Sequence, residues 1–174
     1  EELARITEIP DEKIIEAHQK NKKALVAFAN QRNIVSGAKL EQDLLTIGFA
    51  RRFIQYKDAE LIFKNIKKLK QLANKVQFVF AGKSHARDEL GKDIMERIIE
   101  YAEELSGEVT ISFIPDYDME VTSKMVAGCD LWLNTPIPPN EASGTSGMKA
   151  SVNGCLHFSR LDGWAIEGFE RNGG

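Results

Sequence analysis

The sequence predicts an α/β fold, a Rossmann-like parallel sheet with helices on both faces. Three observations carry that expectation. Short runs of apolar residues, such as Leu44-Leu45-Thr46-Ile47-Gly48-Phe49-Ala50 and Val76-Gln77-Phe78-Val79-Phe80-Ala81-Gly82, do not alternate with polar ones, so they read as strands buried on both sides. Longer stretches with apolar residues at helical spacing separate them, which is the alternation of a parallel sheet. Two of the loops that follow such runs hold unusual residues, and in a sheet of this kind ligands bind outside the carboxyl ends of the strands.

In chain order, Glu1 to Pro10 has no clear period. Ile14, Ile15, Ala17, Leu25, Val26, Phe28 and Ala29 then recur at helical spacing up to Arg32-Asn33, with Asp11 as the expected N-cap. A polar link ends near Gln42, so residues 1–42 read as a helical and linker segment leading into a Rossmann-like domain over 43–174. After the first strand comes the loop Arg51 to Lys57, then an amphipathic helix over Asp58 to Asn74. The second strand is Val76 to Gly82, followed by a helix from Ala86 to Leu105 with Ile94, Met95, Ile98, Ile99 and Ala102 on its apolar face. Val109 to Ile114, closed by Pro115, is the third strand, and a helix over Met119 to Ala127 leads to the fourth, Asp130 to Asn134. Pro136, Pro138 and Pro139 fix a stiff loop between Thr135 and Asn140. A glycine- and serine-rich stretch, a helix to about Asn153 and a fifth strand, Cys155 to Ser159, follow. Leu161 to Gly174 reads as loop, without a closing helix, and the chain resembles a piece of a longer protein.

The glycine- and serine-rich stretch is Glu141-Ala142-Ser143-Gly144-Thr145-Ser146-Gly147-Met148-Lys149. Ser143 and Thr145 are good N-cap residues, and a helix N-terminus offers unpaired amides and a positive dipole end to an anion, phosphate above all. Lys149 falls one turn into that helix. A lysine near other cations and partly desolvated loses its proton more easily, and a neutral amine can form a Schiff base with an aldehyde. Phosphate cradle plus amine points to pyridoxal phosphate, against the alternative of a capped helix with a solvated lysine. If the strand order is doubly wound, 3-2-1-4-5, strands one and four flank the switch point. Arg51, Arg52 and Lys57 then converge on the same crevice as Glu141 to Lys149. Arginine grips phosphate with a fork and lysine adds a point charge. Glu141 can accept hydrogen bonds from sugar hydroxyls, and Tyr56 either does the same or caps the core.

Composition bounds the rest. With 23 Lys and Arg against 26 Asp and Glu, the net charge of -3 argues against nucleic acid or an anionic membrane as the main partner, so an anion site must be local. No apolar run nears the roughly 20 residues that span a bilayer. Cys129 and Cys155 sit in apolar surroundings and read as reduced thiols of a cytoplasmic protein, with neither a disulfide nor a metal site expected. His18, His85 and His157 lie outside the motifs and read as structural or surface residues.

Glu141 to Lys149, followed by Asn153-Gly154 and Asp162-Gly163, resembles the pyridoxal-phosphate region of the α-glucan (glycogen, starch, maltodextrin) phosphorylases. Arg51-Arg52-Phe53-Ile54-Gln55-Tyr56-Lys57 resembles that family's phosphate-binding segment, in the same order and at similar separation. The resemblance covers most of the chain from about Leu44. It implies the incomplete C-terminal lobe of a GT-B type glycosyltransferase that moves glucosyl units reversibly between α-1,4-glucan ends and orthophosphate, giving α-glucose 1-phosphate with retention. Lys149 would carry pyridoxal phosphate as the Schiff base, and Arg51 with the backbone at Thr145 and Ser146 would contact the cofactor phosphate. Arg52 and Lys57 would bind the substrate phosphate. Glu141, Ser143, Gly144 and Tyr56 would meet the glucosyl hydroxyls. The resemblance also implies an N-terminal lobe of the same enzyme as partner, an isolated lobe without activity, and leaves self-association open. Animal members carry Gly-Asn at Ser146-Gly147 and His-Glu at Ile54-Gln55, so the chain is similar to the short microbial branch. Two alternatives stay open: the lobe of a nucleotide-sugar-dependent glucan synthase, whose relatives carry a glutamate at the Lys149 position, and a non-catalytic α/β binding module.

Overall fold

The apolar runs form strands that use consecutive side chains on opposite faces. The computed structural model describes residues 8–172. Its strands are β1 (Leu45–Arg52), β2 (Val76–Lys83), β3 (Thr110–Ile114), β4 (Leu131–Asn134) and β5 (Leu156–Ser159). They make one parallel sheet in the order β3-β2-β1-β4-β5, the doubly wound order expected from the sequence. Along β2, Phe78 and Phe80 pack into one buried cluster with Phe49, Phe53, Ile98, Ile111 and Phe113. Their neighbours Val79 and Ala81 enter the other cluster, with Leu25, Ala29, Ala50, Met125 and Trp132. This period of two is what a strand covered on both faces requires.

The helices are α1 (Asp11–Arg32), α2 (Ile66–Lys70), α3 (Glu89–Glu104), α4 (Met119–Gly128), α5 (Thr145–Val152) and α6 (Trp164–Asn172). Helix α1 buries Leu25, Val26 and Ala29 from its second half, whereas Ile14 and Ile15 of the expected apolar face stand exposed. The structure corrects several expectations. Pro10, not Asp11, occupies the N-cap of α1, with no side-chain cap, because proline's fixed φ suits a helix start. The helix expected over Asp58 to Asn74 is a 3-10 turn (Leu61–Asn65) followed by the single turn of α2. Asn65 breaks it: its backbone leaves the helical region and its side-chain oxygen accepts from the Lys68 amide, competing with the helix. Helix α3 starts three residues later than expected, capped by Asp88 on the Gly91 amide.

The stretch read as a closing loop contains α6. Trp164, Ala165, Gly168 and Phe169 recur at helical spacing there, a signal outweighed in the sequence by the flanking glycines. The expectations for residues 1–7 and 173–174 lie outside the described residues. Cys129 and Cys155 are buried free thiols; burial raises the Cys129 pKa well above its ordinary value and pushes Cys155 up to about 12. Among the described residues no helix is long and apolar enough to cross a membrane.

Candidate functional site

The site assembles where β1 and β4 leave the sheet. Strand β1 runs two residues further than the sequence suggested, so Arg51 and Arg52 are strand residues, not loop residues. The pleat then sends them to opposite sides. Arg51 is buried, 7% exposed, and Arg52 is exposed. After the strand, a 3-10 turn (Gln55–Lys57) carries Tyr56 and Lys57 back over the sheet end.

From β4, the proline loop delivers Glu141 and the start of α5. Glu141 is buried, its amide donating to Asp162 Oδ2 at 2.9 Å. Its carboxylate pairs with Lys57 Nζ and lies 3.6 Å from Arg51 Nη1. Arg51 Nη2 donates to Ser146 Oγ at 3.1 Å, which ties β1 to the first turn of α5. The guanidinium also stacks over Phe49, 5.3 Å from its centroid, and Lys57 Nζ lies 4.6 Å from the Tyr56 centroid. Arg51, Lys57, Glu141, Ser146 and Tyr56 therefore meet in one place, from residues up to 95 apart in sequence.

The cap of α5 differs from the expected one. Neither Ser143 nor Thr145 caps the helix; Gly144 holds the cap position at φ 88°, with no side-chain hydrogen bond. A left-handed cap strains any residue with a Cβ, and glycine leaves the backbone open to a ligand. The Thr145 and Ser146 amides, at the start of the helix, have no acceptor within it. Lys149 is exposed on α5, not desolvated as its expected chemistry suggested.

Arg51 is the least satisfied group here. Its Nε and Nη1 are buried and make no hydrogen bond within the protein. Burial lowers its pKa and Glu141 opposes that shift, yet an arginine stays charged. A buried cation with open donors beside a helix N-terminus suits an anion of phosphate size.

Several groups at the site were given no role in it from the sequence. Asp162 orders the loop by accepting from both Glu141 and Gly163, and its Asp-Gly pair was a turn signal. Trp164 donates its amide to the Ser143 carbonyl at 2.9 Å. His157, expected to be structural or on the surface, is half-buried and stacks on Trp164 at 5.2 Å. A Cβ on Gly147 would lie within 2.9 Å of three atoms of its ring. Burial, and next the Arg51 charge, lower its pKa.

Residues 3–174 match the family of carbohydrate phosphorylases. The chain belongs to this family. It is 43% identical to a glycogen phosphorylase of Aquifex aeolicus over 97% of this chain and 27% of that protein. It is 40% identical to a maltodextrin phosphorylase of Thermococcus litoralis, over 97% of this chain and 22% of that protein. A glycogen phosphorylase of Mycobacterium tuberculosis is 39% identical over 77% of this chain and 16% of that protein. The chain thus spans about a quarter of the length of the first two relatives. The two segments of this carbohydrate phosphorylase chain that meet at Arg51 and Ser146 both lie within the matched residues.

Proposed function

We propose that this chain is the cofactor- and phosphate-binding lobe of a GT-B type α-1,4-glucan phosphorylase, acting on α-glucan ends and orthophosphate. The observation that carries this reading is the buried Arg51, with two nitrogens that make no hydrogen bond, at the first turn of α5. Pyridoxal phosphate fits these residues. Lys149 would anchor it, and Arg51 with the Thr145 and Ser146 amides would hold its phosphate. When bound, it would supply a phosphate group to the acid–base chemistry of the site.

Everything else falls to the chain's own groups. Like charges a few ångströms apart repel by about 4 kcal/mol at an effective dielectric near 20, so a cluster of cations is required. Arg52 and Lys57 bind the substrate phosphate. Lys57 is paired with Glu141 here. An incoming phosphate competes for Lys57 and frees Glu141 to accept from a glucosyl hydroxyl, so the ion pair holds both groups in position until substrate arrives. Ser143, Gly144 and Tyr56 complete the sugar contacts, and the stiff proline loop limits how far Glu141 can stray. A second lobe of the same enzyme closes the site and supplies the glucan groove, and the chain by itself is inactive. A cytoplasmic setting fits its two free thiols.

The test is to incubate the chain with pyridoxal phosphate, reduce with borohydride and map adducts by mass spectrometry. A dominant adduct at Lys149 that fades in Arg51→Met supports the reading. Labelling spread over exposed lysines, with none preferred, would sink the cofactor-binding part of the reading, while the family membership stands apart from it.

A further inference from the structure

Beneath Lys57 lies a set of contacts that neither motif contains. Thr135, the first residue after β4, is buried, and its Oγ1 shares its one proton between the carbonyls of Lys57, at 2.8 Å, and Asp58, at 3.0 Å. Two residues on, the Ile137 amide donates to the Tyr56 carbonyl at 2.7 Å. Three successive carbonyls of the Lys57 turn are thus held by the exit of β4. Asp58 itself sits at φ 45°, in the left-handed region. That conformation reverses the chain directly after Lys57, so the two neighbouring side chains part.

The Asp58 carboxylate has its own cations. Lys64 Nζ reaches its two oxygens at 2.8 and 3.0 Å, and Arg160 Nη1 lies 3.1 Å from Oδ2. The same Arg160 nitrogen faces the Thr135 and Pro136 carbonyls at 3.5 and 3.4 Å. Arg160 follows β5 directly, and its amide donates to the Asn134 carbonyl. Exits from β1, β4 and β5 are therefore stitched at one point. With two cations on Asp58, the carboxylate next to Lys57 in sequence cannot draw its ammonium away from Glu141.

We infer that Thr135, Asp58 and Arg160 are positioning residues, a clasp that fixes the Lys57 turn so that its ammonium faces Glu141 and the crevice. Its bearing on phosphate rests on the function proposed above for Lys57; the clasp itself does not. The clasp is a matter of backbone acceptors and charge pairing, so it separates cleanly from bulk. Thr135→Val keeps the shape and removes the hydroxyl, and Thr135→Ser keeps the hydroxyl.

The experiment is a lysine acylation footprint of the whole chain, read by mass spectrometry with exposed Lys149 as internal reference. In the native chain Lys57, half-buried and paired, reacts more slowly than Lys149. Thr135→Val and Arg160→Met each raise Lys57 reactivity relative to Lys149 by roughly fivefold, the factor expected when one such hydrogen bond is lost, and Thr135→Ser restores protection. An unchanged Lys57 rate in Thr135→Val overturns the inference. So does a uniform rise across all lysines, which means general loosening. Phosphate binding, followed by titrating inorganic phosphate into the native chain and Lys57→Met, is read separately. If Lys57→Met leaves it unchanged, the substrate-phosphate role fails while the clasp is still decided by the footprint.

Discussion

At the amino ends of the strands, Asp130 accepts from His18 Nε2 at 2.8 Å, Lys22 Nζ at 2.7 Å and the Thr46 amide at 2.6 Å. Gln77, fully buried nearby, accepts from the Glu41 amide and donates to the Glu41 carbonyl and to Thr46 Oγ1. At the carboxyl ends, Arg51 Nε and Nη1 make no hydrogen bond, although Nη1 lies 3.6 Å from the Glu141 carboxylate, and Asn134 Oδ1 and Trp164 Nε1 are likewise buried without one; within the sheet Ser112 Oγ and the paired Trp132 Nε1 and His157 Nε2 are also unbonded. Both places bury charge, but the Asp130 cluster is hydrogen-bonded throughout whereas Arg51 keeps two nitrogens without a hydrogen bond. A fully paired charge has no free valence to offer a ligand, so the Asp130 cluster fastens α1 to the sheet. A buried cation with open donors costs stability in the folded chain and recovers it on binding, as a site kept for an anion would.

That contrast breaks most decisively at Asp130. Asp130→Ala strands a buried lysine and an amide, with an expected loss of about 3 kcal/mol from the urea midpoint and slope. Desolvation raises the Asp130 pKa, but the bonds from Lys22, His18 and Thr46 outweigh it and the net shift is downward. A folded-state pKa below the unfolded one gives stability that is complete above the ordinary carboxylate range and drains as pH falls through the lowered value. The native chain should therefore weaken at acid pH more steeply than Asp130→Asn, and parallel stability curves would refute the pairing.

Arg51→Met should move the two properties in opposite directions. Pyridoxal phosphate labelling at Lys149 drops by a factor of roughly 10 to 100, as expected for charge-assisted hydrogen bonds, while the urea midpoint holds or rises. A fall in both would make Arg51 structural, like Asp130. The smallest effect tests the wall behind the cradle. Gly147→Ala drives a methyl into the His157 ring and should cost about 1–2 kcal/mol, most of which Gly147→Ala/His157→Ala avoids. Additive costs in that cycle would show that the ring and the glycine do not interlock.

Much of this was legible. Unbroken apolar strands announced a parallel sheet, and the sheet order brought two charged segments to one crevice, since such crevices lie at the switch point between β1 and β4. What was not legible had two causes, local backbone preferences and contacts distant in sequence. Asn65 breaking a helical stretch and α6 forming behind Asp162-Gly163 turned on local backbone preferences that hydrophobic period does not report. His157 and Arg160 looked ordinary because their partners, Gly147 and Asp58, lie 10 and 102 residues away.

The sequence by itself determined the fold class, the family and the segments that carry charge to the site, because periodicity and motif are properties of neighbours along the chain. Only the tertiary structure decided that Arg51 is buried and Arg52 is not, that Glu141 waits on Lys57, and that Thr135 and Arg160 hold the turn beneath it. Pleat, pairing and burial are settled by what the folded chain brings alongside each residue, and no side chain carries that information in its own position.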